Sequence, residues 1–274
     1  MVDNSEQVHI IGSNGFIGKA LKRSVNVDKI ICWSHQSKDY FIDIYEEESW
    51  MNLLKLNPKR LILLSWPGLP NYNETFHVTK NLPQLIKLLE LLIINGLKKI
   101  VVTGTCYEYG LKNGKLSEDI SAEPVSQYGI AKNCLLHSLR NLCTLNSVNW
   151  CWGRIFYPFG PEQNEKSLIP SLIKAIKNND DFFRISSGKQ LRDFIHVDEV
   201  AKILIFMIEN DDLKGIYNIG SGEPKSIIDF VKEIKRERNS NINIITNYYK
   251  DRKDEPQEFW ADMQKLNKVY KTLK

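Results

Sequence analysis

The most constraining stretch lies near the start, "VHIIGSNGFIGKALKRSV", residues 8–25. Four apolar residues run into a turn with glycines at 12, 15 and 18, and a helical pattern begins at Phe16. The apolar run reads as a buried strand, and the residues after the turn have amphipathic helix spacing. A strand, a tight glycine turn and a helix N-terminus together make an anion site. The glycines let the backbone approach a pyrophosphate, while free N–H groups and the helix dipole face its charge. Three glycines can also occupy an ordinary βα turn, so the rest of the chain has to decide.

It decides by repetition. Further apolar runs are "KIICW" (29–33), "RLILLSW" (60–66), "KKIVVTG" (98–104), "NWCWGRIFY" (149–157) and "IYNIG" (216–220). Helical patterns such as "LPQLIKLLELLIING" and "YGIAKNCLLHSLRNLC" separate them. Continuous apolar strands alternating with helices predict a parallel sheet covered on both faces, an α/β doubly wound fold of Rossmann type. After Gly160-Pro161 the rhythm loosens. We read residues 1–160 plus 191–220 as a dinucleotide-binding domain, and 161–190 plus 221–274 as a small C-terminal substrate-binding lobe. A chain of 274 residues, 42% hydrophobic and 26% charged, can bury a core of that size.

Other classes fall away. The net charge of +4 is mild, and basic residues mix with acids, as in "VKEIKRERN", which argues against a nucleic-acid partner. Five cysteines show no C-x-x-C pair and no zinc spacing, so they read as reduced thiols and no metal is expected. The polar, acidic start "MVDNSEQ" does not resemble a signal peptide. The most apolar stretch carries a lysine and a glutamate and is too short to span a bilayer. The expectation is a soluble, cytoplasmic protein without a membrane partner.

The chemistry centres on "SQYGIAK", where Tyr128 and Lys132 stand four apart on one helix face. A free tyrosine has a pKa of about 10, too high for efficient proton transfer at neutral pH. An ammonium about 5 Å away, at an effective dielectric of about 20, favours the phenolate by roughly 3 kcal/mol, or about two pKa units. Burial works in the opposite direction.

A Tyr-x-x-x-Lys pair arises by accident on many helices. Joined to the glycine turn upstream, it resembles the catalytic pair of the short-chain dehydrogenase/reductase superfamily. The G-x-x-G-x-x-G spacing is similar to that superfamily's extended branch, the NAD-dependent epimerase/dehydratase family. The resemblance implies that Lys132 also binds the nicotinamide ribose. It further implies a serine or threonine four residues before a Tyr-Gly pair, to hold the substrate oxygen. In "TGTCYEYG" the pair is Tyr109-Gly110, so that residue is Thr105, with Thr103 the competing choice and Tyr109 structural. The family's dehydratases carry Asp-Glu where this chain has Cys106-Tyr107, so dehydration is not expected and these two residues face the substrate instead. Cys106 has no basic partner in the local sequence to activate it, and Glu108 reads as a surface or hydrogen-bonding residue.

The cofactor residues implied are Gly12, Ser13, Asn14, Gly15, Phe16, Ile17 and Gly18 of the turn, with Ser34 and His35 after the second strand. That segment, "CWSHQSK", has no acid before Asp39, which favours NADP(H) and leaves NAD(H) possible. Asp43-Ile44 fits the family's adenine-contacting position. Ser65 and Trp66 replace the small residues usual after the family's fourth strand and border the pocket, as does Tyr157 in "RIFYPFGP", where many sugar epimerases have asparagine. Arg192 in "LRDFIHVDEVA" and Arg252 in "YYKDRKDE" match arginines that hold the nucleotide diphosphate.

The resemblance is closest to nucleotide-sugar 4-ketoreductases. It implies NAD(P)H-dependent reduction of a nucleotide-linked 4-keto-6-deoxy sugar, with dTDP-4-keto-6-deoxyglucose to dTDP-D-fucose the first guess, in deoxysugar and surface polysaccharide synthesis. An NAD-dependent 4-epimerase is the alternative, and a dinucleotide sensor without catalysis a third reading. The family's usual homodimer is expected.

Overall fold

The computed structural model describes residues 7–24, 29–251 and 255–270; Arg252 therefore lies outside the described residues. Strands β1 (Val8–Ile11), β2 (Ile30–Trp33), β3 (Arg60–Leu63), β4 (Lys99–Thr105), β6 (Asn149–Ile155) and β10 (Gly215–Ile219) form one sheet in the order β10-β6-β4-β3-β1-β2. Every pairing in it is parallel, as the alternation of apolar runs with helices predicts.

Successive side chains of a strand point to opposite faces, and the two faces hold separate cores. Leu61, Leu63, Ile100 and Val102 join one core with helices α2 (Glu47–Lys55), α3 (Leu82–Ile94) and α4 (Gln127–Leu145). Ile62 and Val101 join the other with α1 (Phe16–Ser24), α6 (Val197–Glu209) and α8 (Gln264–Tyr270). Helix α2 was not anticipated, although Glu47 and Glu48 in its first turn and Lys55 in its last complement the helix dipole. Between β2 and α2 the extended chain shrinks to one bridge, Ser34 to Phe41. The segment beginning at Ser65 therefore follows this chain's third strand.

The remaining strands lie outside this sheet, and all but β9 have three residues. β7 (Tyr157–Phe159), β9 (Leu191–His196) and β11 (Pro224–Ser226) make a three-stranded sheet. β5 (Gly114–Leu116) pairs with β13 (Phe259–Ala261), and β8 (Phe182–Arg184) with β12 (Asn243–Ile245). A third core joins α5 (Leu168–Lys177) to α7 (Ile227–Glu237) through Leu172, Phe230 and Val231. Buried Asp193 ties β9 to its surroundings, accepting from the backbone N–H groups of Ser221, Gly222 and Ala261.

The chain runs from β1 outward to β2, then returns to the other side of β1 for β3, β4, β6 and β10. The connections leaving β1 and β3 therefore part in opposite directions and leave a crevice beyond the carboxyl ends of these strands. Ligands of open α/β sheets bind at such a switch point.

Candidate active site

A cavity of about 590 Å³ opens at this crevice. One wall is the glycine turn with Asn14, Phe16, Ile17, Ser34 and His35; the other includes Ser65, Trp66, Tyr72, Thr105, Cys106, Tyr107, Tyr128, Lys132 and Tyr157.

The first wall is made of backbone. The Gly12 and Ser13 N–H groups both donate to the Trp33 carbonyl, at 3.1 and 3.2 Å, tying the turn to the end of β2. Gly12 adopts φ +90, and a Cβ there would meet Ser65 N at 2.7 Å; a Cβ on Gly18 would meet Gly12 O at 2.5 Å. The first and third glycines thus let three backbones crowd together at the start of α1. The result is a cradle bare of side chains at a helix N-terminus, which fits the pyrophosphate of a dinucleotide. Asn14 Nδ2 donates to Ser34 Oγ at 2.9 Å, while Lys22 Nζ donates to Asn14 Oδ1 at 2.6 Å.

Three expected cofactor residues are not in the lining. Ser13 is buried, its hydroxyl given to the Trp33 carbonyl. Asp43 shapes the approach to α2, its Oδ1 accepting from Tyr45 N, and Ile44 is buried in the first core.

The second wall is made of side chains. Thr105 ends β4 and caps the 3-10 turn Cys106–Tyr109: Tyr107 N donates to its Oγ1 at 3.3 Å, and Thr105 N donates to Glu108 Oε1 at 2.8 Å. This reciprocal capping pins Thr105 at the mouth of the sheet. Of the two readings of Glu108, the hydrogen-bonding one holds and the surface one does not, since its side chain is fully buried. It accepts from Trp152 Nε1 at 2.9 Å and from Arg154 Nε at 2.7 Å. Burial works against the Arg154 charge, yet Glu108 and Tyr109 outweigh it and raise its pKa. Tyr109 is structural, donating from its buried hydroxyl to Asn218 Oδ1 at 2.7 Å.

Helix α4 is capped by Ser126, whose Oγ accepts from Gly129 N at 3.1 Å, and it brings Tyr128 and Lys132 to the cavity. Both are buried. Burial pushes the Tyr128 phenol above the usual tyrosine range and nearby Tyr72 adds to this, while a hydrogen bond with the Thr105 side chain pulls it down. Burial takes Lys132 down to about 7, and the Glu108 carboxylate resists. The expected lowering of the phenol by this ammonium is corrected. Nζ donates to the Thr103 carbonyl at 2.8 Å and faces the Trp66 ring at 4.2 Å, 6.0 Å from the centre of the Tyr128 ring.

Sequence reasoning missed an aromatic enclosure around Tyr128. The Tyr72 and Tyr107 rings stack at 4.8 Å, and Tyr72, Trp66 and His77 each lie within 6 Å of the Tyr128 ring. The signal was the cluster "SWPGLPNY", whose turn residues carry no helix or strand period. Arg192 is also corrected, because it does not line the cavity. It is 1% exposed, donating from Nε to Tyr157 Oη at 3.0 Å and from Nη2 to Glu255 at 3.1 Å. Its guanidinium holds Tyr157 from behind. Cys106 borders the cavity with its thiol raised by burial, which disfavours a thiolate.

Residues 8–220 match the model of the NAD dependent epimerase/dehydratase family. The dTDP-6-deoxy-L-talose 4-dehydrogenase (NAD(+)) of Aggregatibacter actinomycetemcomitans is 28% identical, over 92% of this chain and 98% of its own. The dTDP-4-dehydro-6-deoxyglucose reductase of Escherichia coli is 25% identical, over 86% and 83% respectively. Among solved structures, the UDP-N-acetylglucosamine 4-epimerase of Methanobrevibacter ruminantium M1 superposes with a TM-score of 0.82 at 24% identity, covering 97% of this chain and 92% of that one.

Proposed function

The chain belongs to the NAD dependent epimerase/dehydratase family, and we propose that within it this protein interconverts the C4 ketone and C4 alcohol of a nucleotide-linked 6-deoxy sugar, working as a 4-ketoreductase. One observation carries the reading: a single cavity has the bare glycine cradle on one wall and Thr105, Tyr128 and Lys132 on the other. Two relatives support the substrate class, since a 4-dehydrogenase and a 4-dehydro-sugar reductase run the same type of reaction, redox at C4 of a dTDP-linked 6-deoxy sugar, in opposite directions on different sugars.

The glycine turn, Asn14 and Ser34 would hold the dinucleotide, and a bound nicotinamide supplies the hydride for reduction. Tyr128 gives its proton to the oxygen developing at C4. A raised phenol pKa keeps that proton in place until the oxyanion forms. Thr105, which lines the cavity with Tyr128, steadies the same oxygen. Lys132, anchored by its bond to the Thr103 carbonyl, would bind the nicotinamide ribose. The stacked tyrosines and Trp66 keep water from the reacting centre. Among the described residues that line the cavity near Asn14 and Ser34 there is no carboxylate, and Lys22 bonds to Asn14, which favours NADP(H). Within residues 161–190 and 221–274, the segments other than α8, which packs on the parallel sheet, make the lobe that takes the nucleotide, and the enzyme works as a cytoplasmic homodimer.

The test offers dTDP-, CDP-, GDP- and UDP-4-keto-6-deoxy sugars with NADPH or NADH, following cofactor absorbance and identifying the product by NMR. Turnover of one keto sugar is expected, with Tyr128→Phe lowering kcat by about 10²–10⁴-fold. Epimerisation of an intact hexose nucleotide without net use of cofactor would instead establish the 4-epimerase.

A further inference from the structure

Lys132 has an unusual setting for an ammonium. It is 3% exposed, and its Nζ donates to the Thr103 carbonyl at 2.8 Å. One such bond leaves two of its three N–H donors to be stabilised in other ways. The Glu108 carboxylate acts from across the 3-10 turn, but its oxygens are already held by Arg154, Trp152 and the Thr105 amide. The nearest ring to Nζ is Trp66, with its centre 4.2 Å away, whereas the Tyr128 and Trp152 rings each stand at 6.0 Å.

The indole is fixed in place. Its Nε1–H donates to His77 Nδ1 at 3.0 Å, and His77 Nε2 meets the Asn71 carbonyl at 2.9 Å. A nitrogen that accepts from Trp66 leaves the other to carry the proton, so the imidazole is neutral and its tautomer is set. Burial, together with the nearby Lys132 charge, lowers the His77 pKa and supports that neutral form. A tryptophan that only filled space would not need its edge tied at this angle.

We propose that Trp66 is a positioning residue that keeps Lys132 charged and aimed, offering its π face to the ammonium while His77 locks the angle of the indole. Among side chains, the indole face binds cations most strongly, and the attraction grows when water is excluded. Among the described residues, the other titratable groups lining this part of the cavity include the Tyr128 and Tyr107 phenols and the Cys106 thiol, all kept protonated by burial, and nearby lies the Glu108–Arg154 pair. None of them takes up the face of the ammonium that Trp66 covers.

Trp66 matters to turnover only if Lys132 acts as proposed above, but its effect on the lysine can be read without substrate or cofactor. Lysine labelled with ¹³C at Cε is followed against pH in the unliganded protein, with the Lys132 signal assigned by its loss in Lys132→Met. Trp66→Leu is expected to lower the Lys132 midpoint by about one pH unit, a tenfold loss of proton affinity, with Trp66→Phe falling between it and the native chain. His77→Phe, which frees the indole edge, should give part of the same shift. An unchanged midpoint in folded Trp66→Leu would reduce Trp66 to a packing wall. If that variant does not fold, an unchanged midpoint in Trp66→Phe overturns the idea equally. A titration shift without keto-sugar turnover would leave this inference standing while removing the proposed reaction.

Discussion

The two walls of the cavity solve the same problem by different means. The glycine-turn wall positions its ligand with backbone, so its essential property is missing atoms: no Cβ at Gly12 or Gly18, where one would collide with neighbouring backbone. The opposite wall works with side chains held by other side chains, most of them from distant parts of the chain. Thr105 depends on Glu108, Glu108 on Arg154 and Trp152, and Tyr157 on Arg192. Damage to the first wall should therefore stay local, whereas damage to the second should spread into stability.

The strongest break in that comparison is Glu108→Ala. It leaves Arg154 buried without its carboxylate and strips acceptors from Trp152 Nε1 and the Thr105 amide. Removing one member of a buried ion pair costs about 3–5 kcal/mol. The urea midpoint should fall by that amount divided by the m-value, and whatever protein remains folded should lose turnover as Thr105 loosens. A loss below about 1 kcal/mol would mean the second wall is no more interdependent than the first.

The same contrast explains what could be read in advance. A backbone cradle needs glycines at fixed local spacing, so Gly12, Gly15 and Gly18 announce it, and the alternating apolar runs announce the sheet that carries it. Thr105, Tyr128 and Lys132 could be placed through helix spacing and family resemblance, and they do meet in one cavity. Their environment could not. Glu108 is polar and sits in a turn, which locally suggests the surface. Only its partner Arg154, 46 residues away, makes burial tolerable. Arg192 failed differently: its segment was placed, but nothing local told that its guanidinium turns toward Tyr157 and Glu255. The shared error concerning Tyr128 and Lys132 was to count helix positions without knowing that Thr103 O and Trp66 compete for the ammonium.

A sharper comparison within the first wall sets Gly18→Ala against Gly15→Ala. The Gly18 methyl would meet Gly12 O at 2.5 Å and Ser13 backbone atoms at 2.6 Å, whereas that of Gly15 would meet only Gly12 O, at 3.3 Å. Overpacking of the first kind costs about 1–3 kcal/mol, and the backbone must move to accommodate it. Dinucleotide affinity, measured by fluorescence titration, should fall by about 10–100-fold for Gly18→Ala and by only a few-fold for Gly15→Ala. Equal losses would show that any side chain on the turn obstructs the ligand, rather than distortion of the cradle.

The smallest effect tests where the two walls' styles meet. Ser34 is buried at the end of β2, accepting from Asn14 Nδ2 at 2.9 Å and from Gln36 N at 3.3 Å, so it is a side-chain element within a backbone wall. Ser34→Asp keeps an acceptor for both bonds while adding a negative charge beside the Asn14–Lys22 pair. Such a charge accepts from ribose hydroxyls and repels a 2′-phosphate. Lys22 and solvent screen it, so the change in relative affinity should be about tenfold toward NADH, or about 1.4 kcal/mol. Competing titrations of NADPH and NADH on the native and Ser34→Asp proteins measure this ratio directly. If the native protein already prefers NADH and the substitution leaves the ratio unchanged, then the absence of a carboxylate after β2 carries no information about the phosphate, and the NADP(H) preference fails.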